Sequence, residues 1–398
     1  MRKYQSSQSV VTDLLPDSPV HVYRPAAVAT AVSFFKENFQ GKVVYAVKTN
    51  PEPFVLKQVN ELGVNSFDVA SLHEIKTVSE LLPQAELYFM HTVKSRNAIR
   101  EAYFSYGVRN FSLDTEDELQ KILEETNNAT DLNLFVRIAM SNSYAELSLA
   151  DKFGVNVNDA HLLIQKTRKH AKKLGVCFHV GSQCMHPDAY RIAIRMAGKI
   201  VSKARVKIEV LDVGGGFPSI YPGMMPPALK LYFNAIHEEF AKITKHGTCE
   251  LLCEPGRAIV AESGSVIVKV VLRKKDYLYI NDGTYGSLFD AGFPKFIFPV
   301  KLLREEAVGH SGNFMPFSFF GPTCDSLDFM KGPFYLPEDI KEGDYIEIGQ
   351  LGAYGRTLAT GFNGFKAIDE ILAVEDEPIM SLYGDMQKIS DELETIAA

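Results

Sequence analysis

The chain has 398 residues and a formal net charge of −7, so it is long enough for two domains, and its acidic balance without a long basic run excludes the usual footprint of nucleic-acid binding. The polar start carries no signal-like apolar stretch and no later segment is long enough to span a bilayer, so a cytoplasmic protein without membrane contact is expected. Five scattered cysteines (Cys177, Cys184, Cys249, Cys253, Cys324) indicate neither a disulfide framework nor a metal site.

From residue 43 to about 260, short β-rich runs alternate with helical patterns. Strands are expected over 43–47, 66–70, 87–91, 110–114, 134–139, 176–180, 208–213 and 251–254, and amphipathic helices over 54–62, 72–82, 98–106, 116–125, 160–174, 187–202 and 229–244. Eight β/α units in one run predict an α/β chain built on a TIM (β/α)8 barrel; a doubly wound sheet is the alternative that alternation alone leaves open. Beyond Ala261 the period changes. Strands over 266–272, 277–281, 296–303, 314–319 and 345–348 predict a second, mainly β C-terminal domain, to which 20–23 adds a strand. The expected division gives 24–262 to the barrel and 1–23 with 263–398 to the β domain.

In a barrel of this kind the chemistry sits where strands end, so the strand-end residues can be read as one ring. The ring contains Lys48, Asp68, His91, Asp114, Arg137, His179 to Ser182, Asp212 to Gly216, and Glu254 to Arg257. Lys48 follows the apolar run Val43-Val44-Tyr45-Ala46-Val47, which reads as a buried strand delivering one amine; burial lowers a lysine's pKa and suits it to a Schiff base with a carbonyl. Alone, such a lysine more often lies solvated on a barrel rim. Gly214, Gly215 and Gly216 follow the seventh strand, and Gly256 and Arg257 the eighth, where barrels of this type hold a phosphate against backbone N–H groups and a charged fork. A phosphate and an aldehyde held by a lysine together indicate pyridoxal 5'-phosphate. Glu254 is the carboxylate expected at its ring nitrogen and His179 the residue expected to stack on its face. Taken singly, Glu254 also reads as a strand-end ion pair and His179 as a core histidine.

The motifs Tyr45-Ala46-Val47-Lys48, Phe67-Asp68-Val69-Ala70-Ser71, His179-Val180-Gly181-Ser182, Gly214-Gly215-Gly216-Phe217-Pro218, Glu254-Pro255-Gly256-Arg257 and Gly321-Pro322-Thr323-Cys324-Asp325-Ser326-Leu327-Asp328 together resemble the alanine-racemase-like, fold-type III decarboxylases of basic amino acids. Ornithine and lysine decarboxylases are the nearest members, and the resemblance runs on through Gly352-Ala353-Tyr354 and Phe362-Asn363-Gly364-Phe365. It implies Lys48 as the Schiff-base lysine, Asp68 and Arg137 lining the cofactor site, and Ser182, the glycine run, Gly256, Arg257 and Tyr354 at the phosphate. It also implies a homodimer with shared active sites, in which Cys324 and Asp325 come from the neighbouring subunit. There Cys324 would protonate the α-carbon and Asp325 would meet the distal ammonium of a basic amino acid.

Relatives that act on ornithine carry a further acid after Tyr-Gly-Ser, whereas this chain reads Tyr285-Gly286-Ser287-Leu288-Phe289-Asp290. Asp290 stands in a shifted register, so Asp325, Asp290 and Tyr285 are the substrate residues expected, and the choice between ornithine and lysine stays open. Diaminopimelate or arginine decarboxylation, racemisation on the same barrel, and a non-catalytic regulatory binder are the competing readings.

Overall fold

The alternating half of the chain closes into a parallel barrel in the computed structural model, which describes residues 1–140, 144–147, 152–243, 249–305 and 309–384. Residue 244 of the expected seventh helix and residues 385–398 of the expected β domain lie outside the described residues. Two units are present: one comprises Met1–Ala31, Ser219–Met225 and the chain from Arg257 onward, the other Val32–Pro218 and Pro226–Gly256.

In the second of these units the strand order is Lys42–Val43, Glu250–Cys253, Val210–Asp212, Lys173–Cys177, Asn133–Arg137, Asn110–Leu113, Glu86–Phe89, Ser66–Val69 and Tyr45–Ala46. The first and last members are one strand interrupted at Val44, so the ring of eight positions closes, and the doubly wound alternative falls. Strands buried on both faces read as continuous apolar runs, which is why the sequence announces them. One buried cluster, Val44, Tyr88, Met90, Phe135, Cys177, Val210 and Leu252, draws on six of the eight strand positions and therefore fills the barrel interior. Each such large apolar side chain contributes about 1.5–3 kcal/mol on burial. Gly175 makes room there: a Cβ at this position would lie 2.4 Å from the Phe135 ring.

One strand differs in register from the expectation. The sixth strand is Lys173–Cys177, pairing residue for residue with Asn133–Arg137, and the preceding helix ends at Arg168. The basic residues Lys172 and Lys173 had extended the helical pattern, but the apolar residues Leu174 and Val176 satisfy the sheet when the strand begins at 173. His179 consequently lies beyond the strand end. The helices that follow strands two, three and four are capped by Ser71, Ser95 and Thr115, whose side chains accept the N–H of Glu74, Ala98 and Glu118. Early capping keeps several of these loops short and holds the strand-end residues at one rim.

The other unit is built on a nine-stranded sheet. Its central strand, Gly264–Lys274, runs antiparallel to Val20–Tyr23, Tyr277–Ile280 and Tyr345–Ile348. Val10, Val11, Val20, Val22, Ile267, Leu303, Tyr345, Leu372 and Val374 form an apolar cluster. Beside them Arg24, 2% exposed, is bound by Glu347 at 2.6 Å and by Ser7, Ser265 and Asp376, so its buried charge is fully engaged. Three of its strands have no expected counterpart, the two-residue Lys3–Tyr4 among them. Phe329–Pro337 is masked in the sequence by Gly332-Pro333, which breaks the alternation, and Leu372–Val374 is too short to show a period. No described helix is long and apolar enough to cross a membrane.

Candidate functional site

Strand-end residues of the barrel unit form a compact polar cluster. Tyr45–Ala46 gives way to a single 3-10 turn, Val47–Thr49, closed by an extended Asn50 because the residue before a proline is driven out of the helical region. That turn lifts Lys48 off the strand. Its side chain is 44% exposed rather than buried as the apolar run suggested, and its Nζ lies 2.9 Å from Oδ2 of Asp68, itself 3% exposed. Arg137 ends the fifth strand and packs over the Phe153 ring at 5.3 Å. His179 accepts the Gly181 N–H at Nδ1 at 2.9 Å, which leaves the proton of a neutral imidazole on Nε2. Burial, with Arg137 and Lys48 adding positive charge, holds that imidazole neutral well below the usual histidine range.

Glu254 follows the eighth strand and is buried, as is Asp212 at the end of the seventh. Burial pushes Glu254 well above the usual carboxylate range, with the Asp212 charge the next cause, and raises Asp212 to about 6. Oε1 of Glu254 is buried without a hydrogen-bond partner, an atom that a heterocyclic nitrogen would satisfy.

The glycine run forms a cradle with no space for side chains. Gly214 and Gly216 hold φ of +67° and +101°, a region that disfavours any Cβ. A Cβ at Gly214 would meet Phe178 O at 2.2 Å, one at Gly215 would meet Glu254 O at 2.7 Å, and one at Gly216 would meet Gly181 O at 2.4 Å. Asp212 Oδ1 accepts the Gly214 N–H at 2.8 Å and Tyr190 donates to Gly215 O at 2.9 Å, which fixes the run. Ser182 opens the short strand Ser182–Cys184. Gly256 abuts Thr49, whose buried Oγ1 has no partner and would stand 2.0 Å from a Cβ there. A cradle closed to side chains, an amine and an unsatisfied carboxylate oxygen fit pyridoxal phosphate. The remaining members of the strand-end ring serve local backbone: Asp114 accepts the Gly154 N–H and His91 the Val93 N–H.

In the β unit, Arg257 is buried and donates to the Tyr221 hydroxyl at 2.7 Å. It pairs with Asp290 at 3.4 Å and packs over the rings of Tyr354 at 4.9 Å and Phe296 at 5.2 Å. Asp290, expected among the substrate residues, is thus engaged as the counter-charge of this arginine. Cys324 and Asp325 lie on an exposed loop of the same unit. Tyr285 donates to Asp325 Oδ2 and the Leu327 N–H to Oδ1, both holding the Asp325 carboxyl below its ordinary range. The Cys324 N–H donates to Asn363 Oδ1 at 3.1 Å, and Tyr285 and Phe362 pack with ring centroids 4.9 Å apart. Sequence reasoning gave no role to Asp212, Thr49 or Tyr221. For Asp212 the signal was available, a carboxylate two residues before the glycine run. Tyr221 offered none, since its partner lies 36 residues away.

A family model described as pyridoxal-dependent decarboxylase, pyridoxal binding domain, matches residues 26–261. The chain is similar to a lysine/ornithine decarboxylase of Selenomonas ruminantium, at 29% identity over 397 residues and 95% of each chain. It is also similar to antizyme inhibitor 2 of Xenopus laevis, at 31% identity over 367 residues, 84% of this chain and 76% of the relative. Among solved structures, an arginine decarboxylase of Paramecium bursaria Chlorella virus bound to agmatine matches with a TM-score of 0.80 at 26% identity, covering 92% of this chain and 98% of that one.

Proposed function

Because the chain belongs to the pyridoxal-dependent decarboxylase family, we propose that it removes the α-carboxyl group of L-ornithine and L-lysine, giving putrescine and cadaverine. The observation that carries the reading is the pairing in one loop of a thiol, Cys324, with an anionic carboxylate, Asp325, in a chain whose barrel has the amine and carboxylate for the cofactor. Lys48 would hold the aldehyde carbon, Glu254 the ring nitrogen and His179 one ring face. Asp68 and Arg137 would line the site. The glycine run, Ser182 and Gly256 are assigned to the phosphate, as the family resemblance also assigns Arg257 and Tyr354. When bound, the cofactor supplies an electron sink for the pair left behind as carbon dioxide departs.

The chain's own residues then have definable tasks. Asp325, anchored by Tyr285 and the Leu327 N–H, would receive the distal ammonium of the substrate. Cys324 would deliver a proton to the α-carbon once the carboxyl group has left. Cys324 is exposed and Asp325 half-buried, and around them Leu327, Phe362 and Phe365 are 61%, 42% and 47% exposed, an apolar surface that a second copy of the chain would cover. A homodimer completing each site with the partner's thiol and acid is therefore part of the reading.

Carbon dioxide release by the purified chain with pyridoxal phosphate, measured on ornithine, lysine, arginine and diaminopimelate, tests the proposal. Turnover of the first two within about a thousandfold is expected, since one methylene supports only about 1–3 kcal/mol of discrimination. Agmatine as the main product would establish arginine as the substrate instead. A colourless protein that releases no carbon dioxide from any of the four would make it a binder.

A further inference from the structure

Asp212 ends the seventh strand and Glu254 directly follows the neighbouring parallel eighth, at 1% and 8% exposure. A carboxylate accepts but cannot donate, so two such buried neighbours bond to each other only where one of them holds a proton. Asp212 Oδ1 already takes the Gly214 N–H, while Asp212 Oδ2 and Glu254 Oε1 are buried without a protein donor. The groups facing the pair are Lys48 and Asp68 from the first two strand positions, Tyr88 from the third, Arg137 from the fifth, Cys177 from the sixth and Cys253 from the eighth. Of these only Lys48 and Arg137 carry positive charge, and the neighbouring imidazole of His179 is neutral. Asp68, Asp212 and Glu254, all three buried, would therefore set three negative charges against two positive ones. One proton balances the count.

We propose, resting on the pyridoxal reading above, that Asp212 is a positioning residue that shares a single proton with Glu254, so that Glu254 meets a heterocyclic nitrogen as a proton donor rather than as a bare anion. Delivery breaks the Glu254 O–H bond and forms an N–H bond. Glu254 becomes a carboxylate, the nitrogen becomes cationic, and the cluster then holds three charges of each sign with no other reactant needed. Burial raises both pKa values in the direction the count requires, with the Asp212 charge adding to the rise of Glu254 and the Asp68 charge to that of Asp212.

The proton belongs to the folded chain. In the unfolded chain both carboxyls titrate near 4, so the stabilising effect of this shared proton is complete below that pH and is lost as pH rises through the raised folded range of the pair, in which Asp212 stands at about 6. For one such proton the unfolding constant rises by about tenfold per pH unit in that window.

The test is infrared spectroscopy of the full-length chain at pH 7, in H2O and D2O, before and after addition of pyridoxal phosphate. Wild type is expected to show a protonated-carboxyl band that is absent from Glu254→Gln, absent from Asp212→Asn, and lost from wild type when the cofactor binds. Asp212→Asn should also flatten the pH dependence of the unfolding constant by one proton. A band that persists in Asp212→Asn would overturn the proposal, because Glu254 would then be protonated by burial alone. So would a wild-type spectrum in which Glu254→Gln removes nothing, or a band that survives cofactor binding. Should Asp212→Asn not fold, Asp212→Ser serves the same comparison. The first readout involves neither cofactor nor substrate, so its failure leaves the decarboxylase reading standing; a decarboxylase failure would appear as absent carbon dioxide release with the infrared band intact.

Discussion

The barrel rim and the Cys324–Asp325 loop hold their chemistry in opposite ways. At the rim, Asp68, Asp212 and Glu254 are buried, their charges are matched by Lys48, Arg137 and a proton, and the glycine backbone leaves no room for adjustment. On the loop, Cys324 is exposed and Asp325 half-buried, held through backbone N–H groups, one tyrosine and one asparagine, and ringed by uncovered apolar side chains. The difference separates two kinds of site. The first is specified within one unit by packing and charge balance; the second presents correct groups on a surface that calls for something to cover it.

The comparison can be broken most severely at the rim. Lys48→Ala should lose the borohydride-reducible link to pyridoxal phosphate and lower turnover by about 10³-fold or more, as removal of a covalently acting group does in other enzymes. A reduced pyridoxyl adduct found by mass spectrometry on a different lysine would remove Lys48 from its place. The next effect belongs to the buried pair of the β unit. Asp290→Ala strands the Arg257 guanidinium and is expected to lower stability by about 3 kcal/mol in urea titration. A change below about 0.5 kcal/mol would mean that Arg257 does not depend on it, and an altered lysine-to-ornithine ratio of kcat/KM would return Asp290 to the substrate. The smallest expected effect sharpens the contrast directly. Mixing the inactive homodimers Lys48→Ala and Cys324→Ala should restore up to roughly a quarter of wild-type activity, since half the dimers become mixed and each carries one intact site. No recovery despite exchange shown by native mass spectrometry would mean that each chain supplies its own thiol.

Much of the barrel was legible because parallel strands buried on both faces leave continuous apolar runs, each followed by a polar residue and a helix start such as Ser71 or Thr115. The sixth strand was misplaced by three residues because Lys172 and Lys173 continue a helical charge pattern, and only pairing with Asn133–Arg137 decides the register. The apolar run before Lys48 announced a strand but not the turn that exposes the lysine; that turn depends on Asn50-Pro51. Partnerships were least legible. Sequence placed Asp212 and Glu254 at strand ends and Arg257 and Asp290 33 residues apart, but which charges meet is set by strand adjacency and loop path, and neither has a local signature.

The interlock of Gly175 with Phe135 bears on how this barrel can change. With 2.4 Å between a Cβ at 175 and the ring, Gly175→Ala by itself forces an aromatic side chain off its rotamer, and Phe135→Leu by itself leaves a void. The double substitution trades one volume for the other. An evolving or engineered lineage would therefore cross this part of the interior in a paired step, with either single step as a valley between two workable sequences.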